Sequence, residues 1–200
     1  MRVVNRQTGD TIIEVMLAFT VFAMLAVGAI TIMNKGVASA QESLETTLVR
    51  HEIDGQAEAL RFLHQAYMIN PDSLSGKKFQ DIRNQKLIDA NPTTFGDPTC
   101  LTGIPVAADK GFLINPKTAT VIDNLKPMSN NNAPAYAQVV YDTDGSLLSP
   151  YGLWIEAIEG KVGETGQSPF IDFHIRACWY SVTSEAPRTL GTIVRLYVPA

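Results

Sequence analysis

The sequence predicts an α+β fold, a long N-terminal α-helix packed on a C-terminal antiparallel β-sheet. Three observations predict it. An uncharged apolar run from Val15 to Met33 lies close to the N-terminus. Beyond it, apolar residues keep recurring at helical spacing as far as Tyr67. The last ninety or so residues break into short β-branched and aromatic runs separated by glycine, proline and asparagine.

The bulk composition fits this division. Two hundred residues, 46% hydrophobic and 18% charged, suffice for one membrane-associated element and one modest domain with its own core. A net charge of -4 offers no basic face, so nucleic acid is not an expected partner despite the local pair Lys77 and Lys78.

As a helix the run from Val15 to Met33 is roughly 28 Å long, close to the hydrocarbon thickness of a bilayer. Arg2 and Arg6 precede it, while Lys35, Glu42 and Glu45 follow, so the positive-inside rule leaves the leader in the cytoplasm and the rest outside. Ordinary secretion is one reading, because Ala38-Ser39-Ala40 is similar to a signal-peptidase site. The run is longer than a usual signal core, Glu14 interrupts its start, and Lys35 stands before the triplet. A plain signal anchor holding an extracytoplasmic binding or enzymatic domain is a second reading. It leaves Gly9, followed five residues later by Glu14, without a role.

Gly9-Asp10-Thr11-Ile12-Ile13-Glu14-Val15, with a basic leader before it and an apolar helix after it, resembles the class III signal of type IV prepilins and pseudopilins. The resemblance covers about the first 35 residues. It implies cleavage between Gly9 and Asp10 by a membrane-embedded prepilin peptidase and usually N-methylation of the new terminus. It also implies that Glu14, the fifth mature residue, assists assembly. Asp10 stands where the family usually has Phe or Met. A structural subunit of a type IV pilus-like filament is thus expected, a helical homopolymer with other pilins and inner-membrane assembly machinery as partners. It would be held in the cytoplasmic membrane before assembly and displayed on the cell surface, for example in adhesion, afterwards. A minor pilin or a pseudopilin of a type II secretion or DNA-uptake machine shares the same N-terminus. The corresponding parts are a leader (1–9), an assembly half of the helix (10–34), an amphipathic half (35–70) and a head domain (71–200).

A carboxylate beside an apolar segment costs about 2–3 kcal/mol on insertion scales, so Glu14 requires an explanation. Thr11-x-x-Glu14 is a capping box, which by itself contributes about 1 kcal/mol. The alternative partner is the α-amine that cleavage would create at Asp10, met by Glu14 of a neighbouring subunit and fixing the stagger between helices.

Past Met33, Val37, Leu44, Leu48, Ile53, Leu60, Leu63 and Tyr67 carry the apolar pattern, with charged residues between them. One helix of roughly 55 residues results, about 80 Å long. Gly28, Gly36 and Gly55 are its weak points, each costing about 1 kcal/mol relative to alanine. Gly28 marks a place for local melting on assembly or for close helix packing. The helix is expected to end near Asn70-Pro71. A short helix is expected over Phe79 to Ile88, before Pro92, Gly96 and Pro98 punctuate the approach to Cys100. Strands are expected over Gly111 to Asn115, Thr118 to Asp123, Tyr136 to Tyr141, Leu153 to Ile158, Phe170 to Ser181 and Gly191 to Val198. The last two form a hairpin across Thr183 to Leu190, and Asn130-Asn131-Asn132 is a loop tip.

Chemistry is sparse. No nucleophile elbow, zinc helix or phosphate loop occurs, and neither catalysis nor a cofactor is expected. His51 and His64 stand about 220° apart round a helix and share no face. Together with His174 on a strand, they are expected to be surface or packing residues. Cys100 and Cys178 lack metal-ligand spacing, which leaves a single disulfide or two buried thiols. Asp142-Thr143-Asp144-Gly145 is a fragment of a calcium loop, but Leu153 occupies the position of the closing glutamate, so a hairpin turn is the plainer reading. Trp154, Trp179, Phe170 and Phe173 are expected in the core or an interface.

Overall fold

A computed structural model describes residues 11–88, 110–128, 133–160, 169–181 and 186–198. Its chain contacts divide it into two units, Met1–Gln41 and Glu42–Ala200. Helix α1, Thr11–Ile69, is 59 residues long and contributes to both. It runs unbroken through Gly28, Gly36 and Gly55, and a Cβ added at any of the three meets nothing within 4 Å. Among the described residues nothing requires those glycines for packing. α1 stops at Ile69, one residue before the Asn70-Pro71 step, as the restriction on residues preceding proline dictates.

The second unit is α+β. Helix α2, Leu74–Gln85, begins earlier than the sequence suggests because Ser73 caps it: the Ser73 hydroxyl accepts the Gly76 N–H at 3.0 Å. It also ends earlier, since Leu87–Ile88 is not helical but forms strand β1. The expected helix from Phe79 to Ile88 is thus corrected at both ends. Seven further strands follow among the described residues: β2 (Leu113–Asn115), β3 (Thr120–Ile122), β4 (Gln138–Tyr141), β5 (Leu147–Tyr151), β6 (Leu153–Glu159), β7 (Phe170–Tyr180) and β8 (Pro187–Tyr197). The main sheet has the order β1-β6-β7-β8, parallel between β1 and β6 and antiparallel elsewhere. The pairs β2-β3 and β4-β5 are separate antiparallel ribbons.

The β7-β8 hairpin is present, but its connection is shorter than expected. Tyr180 stands opposite Pro187 and Ala177 opposite Leu190, so Arg188 to Leu190 belong to the strand. Pro187 opens β8, a position where its missing N–H breaks no ladder. β5 has no counterpart in the sequence reading; it carries Pro150, opposite Val139, on a two-stranded ribbon where both strands are edges. The Asn130-Asn131-Asn132 tip and the approach to Cys100 lie outside the described residues.

Register sorts the main sheet into two faces. Leu153, Ile155 and Ala157 of β6 stand opposite Ala177, Ile175 and Phe173 of β7. Phe173 is in ring contact with Phe79 of α2 at 6.2 Å, and Trp179 on the same face reaches α1, so this is the helix side. Together with Val49, Ile53, Leu60 and Leu63 of α1 these residues make one core. Phe173 lies on its helix side and Trp154 is buried on the other face of the sheet, both as expected, while Phe170 is half-buried at the margin.

Candidate functional site

The most unusual surface of the molecule is the first half of α1. From Ile12 to Met33 the large apolar side chains are exposed, Met24 at 76% and Leu25 at 68%. The apolar residues go all the way round the helix, so no single face could be buried against a domain and leave a polar face outside. Such a helix requires an apolar medium or other helices. α1 is long and apolar enough to cross a membrane. Glu14 lies in its first turn, exposed, at the head of the uncharged run. Gly9, Asp10 and the side chain of Thr11 lie outside the described residues.

The second half of α1 is tied to the head by polar contacts as well as by the core. Gln56 is buried and donates from Nε2 to the Ile114 carbonyl at 2.8 Å, while its Oε1 accepts the Ile114 N–H at 2.8 Å. Its side-chain amide thus pairs with β2 as a neighbouring strand would. Glu45, also buried, accepts the Trp179 indole N–H at 3.3 Å. One turn earlier Glu42 pairs with Arg188 of β8 at 2.6 Å. His64 bonds the Tyr197 carbonyl at 2.8 Å through Nε2 and meets Phe79 edge-on, which is the packing role expected of it; His51 is exposed. Burial pushes the Glu52 carboxyl above its usual range, opposed in part by the Val139 N–H, while burial first and the Glu52 charge second raise the Tyr141 phenol.

On the opposite face of the main sheet, Trp154 donates its indole N–H to Glu156 at 2.9 Å, and the Arg176 guanidinium lies 3.9 Å from the same carboxylate. His174 stands across the ladder from Glu156 and 3.5 Å from Arg176. Burial first and the Arg176 charge second hold its imidazole below the ordinary histidine range. Asp172 and Arg195 form a bidentate pair at 2.7 and 2.8 Å that lowers the Asp172 carboxyl. These groups sit in flat ladder positions with their charges paired. They offer no nucleophile with an adjacent base.

Cys178 is buried and disulfide-bonded. Cys100, the other cysteine of the sequence, lies outside the described residues. Asp142 and Asp144 serve the β4-β5 turn. Asp142 Oδ1 accepts the Thr143 N–H at 2.6 Å, Asp144 Oδ1 accepts the Ser146 N–H at 2.7 Å, and Gly145 takes a φ of 80°. Among the described residues no three histidine, cysteine, aspartate or glutamate side chains gather as a metal set would require.

Sequence reasoning missed the polar ties of Gln56, Glu45 and Glu42. Their only sequence signal is position: each falls on or beside the stripe of Val49, Ile53 and Leu60, where a polar residue must find a buried partner or lie at the rim. No family model, curated protein or solved structure matches the chain.

Proposed function

We propose that the chain is a structural subunit of a type IV pilus-like filament. It is inserted through α1, cut by a prepilin peptidase between Gly9 and Asp10, and polymerised through the helix that begins there. One observation carries the reading: the stretch from Ile12 to Met33 is a regular helix whose large apolar side chains are all exposed, with a single carboxylate, Glu14, at its head. A signal anchor accounts for the apolar length. It does not account for an acid placed where cleavage after Gly9 would create an amine to pair with it. The function is assembly without catalysis. The head, Glu42–Ala200, is carried outward as a folded unit.

N-terminal sequencing of the mature protein tests the reading directly. A start at Asp10 is expected. A start at Gln41 means ordinary secretion, and retention of Met1 means a plain anchor; either result overturns the filament assignment. Glu14→Gln, assayed by sedimentation of sheared surface material, is expected to abolish filaments while leaving the membrane-inserted subunit at its normal abundance.

A further inference from the structure

We infer that the outer edge of the main sheet is a docking site for an extended segment of another protein, added to β8 as a further strand. β8 ends the order β1-β6-β7-β8 and pairs with β7 along all its 11 residues without a shift of register. Among the described residues no strand pairs with its other side. Val198 donates its N–H to the Pro169 carbonyl at 2.9 Å, so the adjacent Tyr197 turns its own backbone groups away from β7, and its carbonyl is the one that His64 reaches. Alternation then turns Arg195, Ile193, Gly191 and Thr189 outward as well. All four are exposed. Folded proteins usually cover or break a straight edge of this length, because it is a template for a further strand.

Two features define what such a strand carries. Gly191 stands in the middle of the open stretch, as a strand glycine does where another backbone comes close. On the helix side, Arg50, Ile53 and Asp54 of α1 and Leu190, Gly191 and Thr192 of β8 line a pocket of about 190 Å³ beside that glycine. Arg50 and Asp54 are exposed, and among the described residues neither enters an ion pair. Successive side chains of an added strand point to opposite faces. One therefore enters the pocket, where a cation and an anion together suit a carboxamide that both donates and accepts. Its neighbours lie on the outer face beside Ile193, 59% exposed. The occupant is thus an extended segment in which Gln or Asn alternates with apolar residues. The other charges along β8 are already matched, Arg188 by Glu42 and Arg195 by Asp172. A second copy of this chain fits less well. Glu42 lies beside Arg188 and His64 beside Tyr197, so β8 and this part of α1 run the same way. Antiparallel pairing of two β8 strands would point the two α1 helices in opposite directions, against insertion into one membrane.

The test uses the full chain in lipid nanodiscs, with amide hydrogen exchange read residue by residue. The probe is a lysine-flanked synthetic peptide of alternating valine and glutamine. Its control carries N-methyl groups on alternate amides and cannot complete a ladder. The probe at millimolar concentration should slow exchange at Gly191 and Ile193 by about tenfold or more, and leave Thr192, already bonded to β7, unchanged. The control should have no effect. Ile193→Pro removes an outward N–H and no bond to β7, so it should abolish the protection at Gly191 with the head's Tm little changed. Asp54→Ala, on the exposed side of α1, is the second variant and should weaken the response to the glutamine peptide but not to an all-valine one. Equal exchange with and without the probe, or equal protection by the N-methylated control, would overturn the proposal. So would protection without peptide that grows with protein concentration, since it would assign the edge to a second copy. Each outcome stands whatever the N-terminal sequencing returns.

Discussion

Ile12–Met33 and Val49–Leu63 belong to one helix, α1, yet they solve opposite problems. In the second stretch all the apolar residues but the exposed Phe62 keep to one side, and Val49, Ile53, Ala57, Leu60 and Leu63 are buried against the head. In the first they occupy every side, and none of the large ones is covered. A stripe can be satisfied inside one chain; an apolar cylinder cannot. The difference locates where folding of the single chain ends and where its surroundings must take over. It also explains why the polar ties of Gln56, Glu45 and Glu42 lie beyond the first stretch, toward the C-terminal half of α1. There the helix has a fixed partner against which a hydrogen bond has a defined geometry.

The comparison breaks most sharply with a pair of identical substitutions. Leu60→Ala removes a fully buried side chain and should cost about 2–5 kcal/mol. Leu25→Ala, at a residue 68% exposed, should leave the same unfolding transition unmoved. Thermal unfolding of both full-length variants in one detergent, followed by the near-ultraviolet signal of the tryptophans, reads both. A comparable loss in Leu25→Ala would mean that the first stretch is part of the folded core. A smaller effect is expected from Gln56→Ala. It strips the Ile114 N–H and carbonyl of their partners in a dry site, for a loss of about 2–3 kcal/mol, with faster amide exchange at Ile114 than at its neighbours on β2.

How much of this was legible in the residues follows from the same contrast. The length of α1, its end at Asn70-Pro71 and the face-to-face alternation of β7 and β8 are local or periodic properties, and the sequence carries them openly. The partners of polar residues are long-range. Gln56 reads as one more solvent-facing residue until Ile114, far along the chain, is brought beside it. The start of α2 depends on one serine at a turn, and β5 is concealed by Pro150. On the candidate site, the uncovered helix and Glu14 were visible from composition. The contact of Glu45 with Trp179 was not, because the two residues meet only through folding.

The smallest of the expected effects concerns Glu52, in the second stretch of α1. Unlike Glu14, Glu52 lies where its own chain surrounds it, beside Val139 and Tyr141, and burial raises its carboxyl. A raised folded-state value means that the folded protein binds the proton more tightly than the unfolded chain does. The associated stability is therefore fully present below the ordinary glutamate range, and it is lost as pH rises through the folded-state value. Glu52→Gln keeps the shape and removes the charge. The variant should be more stable than the parent at pH 7, equal to it near pH 4, and free of the loss of stability that ionisation of Glu52 imposes as pH rises between them, as read by urea unfolding at each pH. His174 supplies the contrasting sign. Its lowered value makes the head lose stability as pH falls below the normal histidine range, and Glu52→Gln leaves that acid limb unchanged. A variant no more stable than the parent at pH 7 would place Glu52 in water. The second stretch of α1 would then be less tightly closed against β4 than its burial implies.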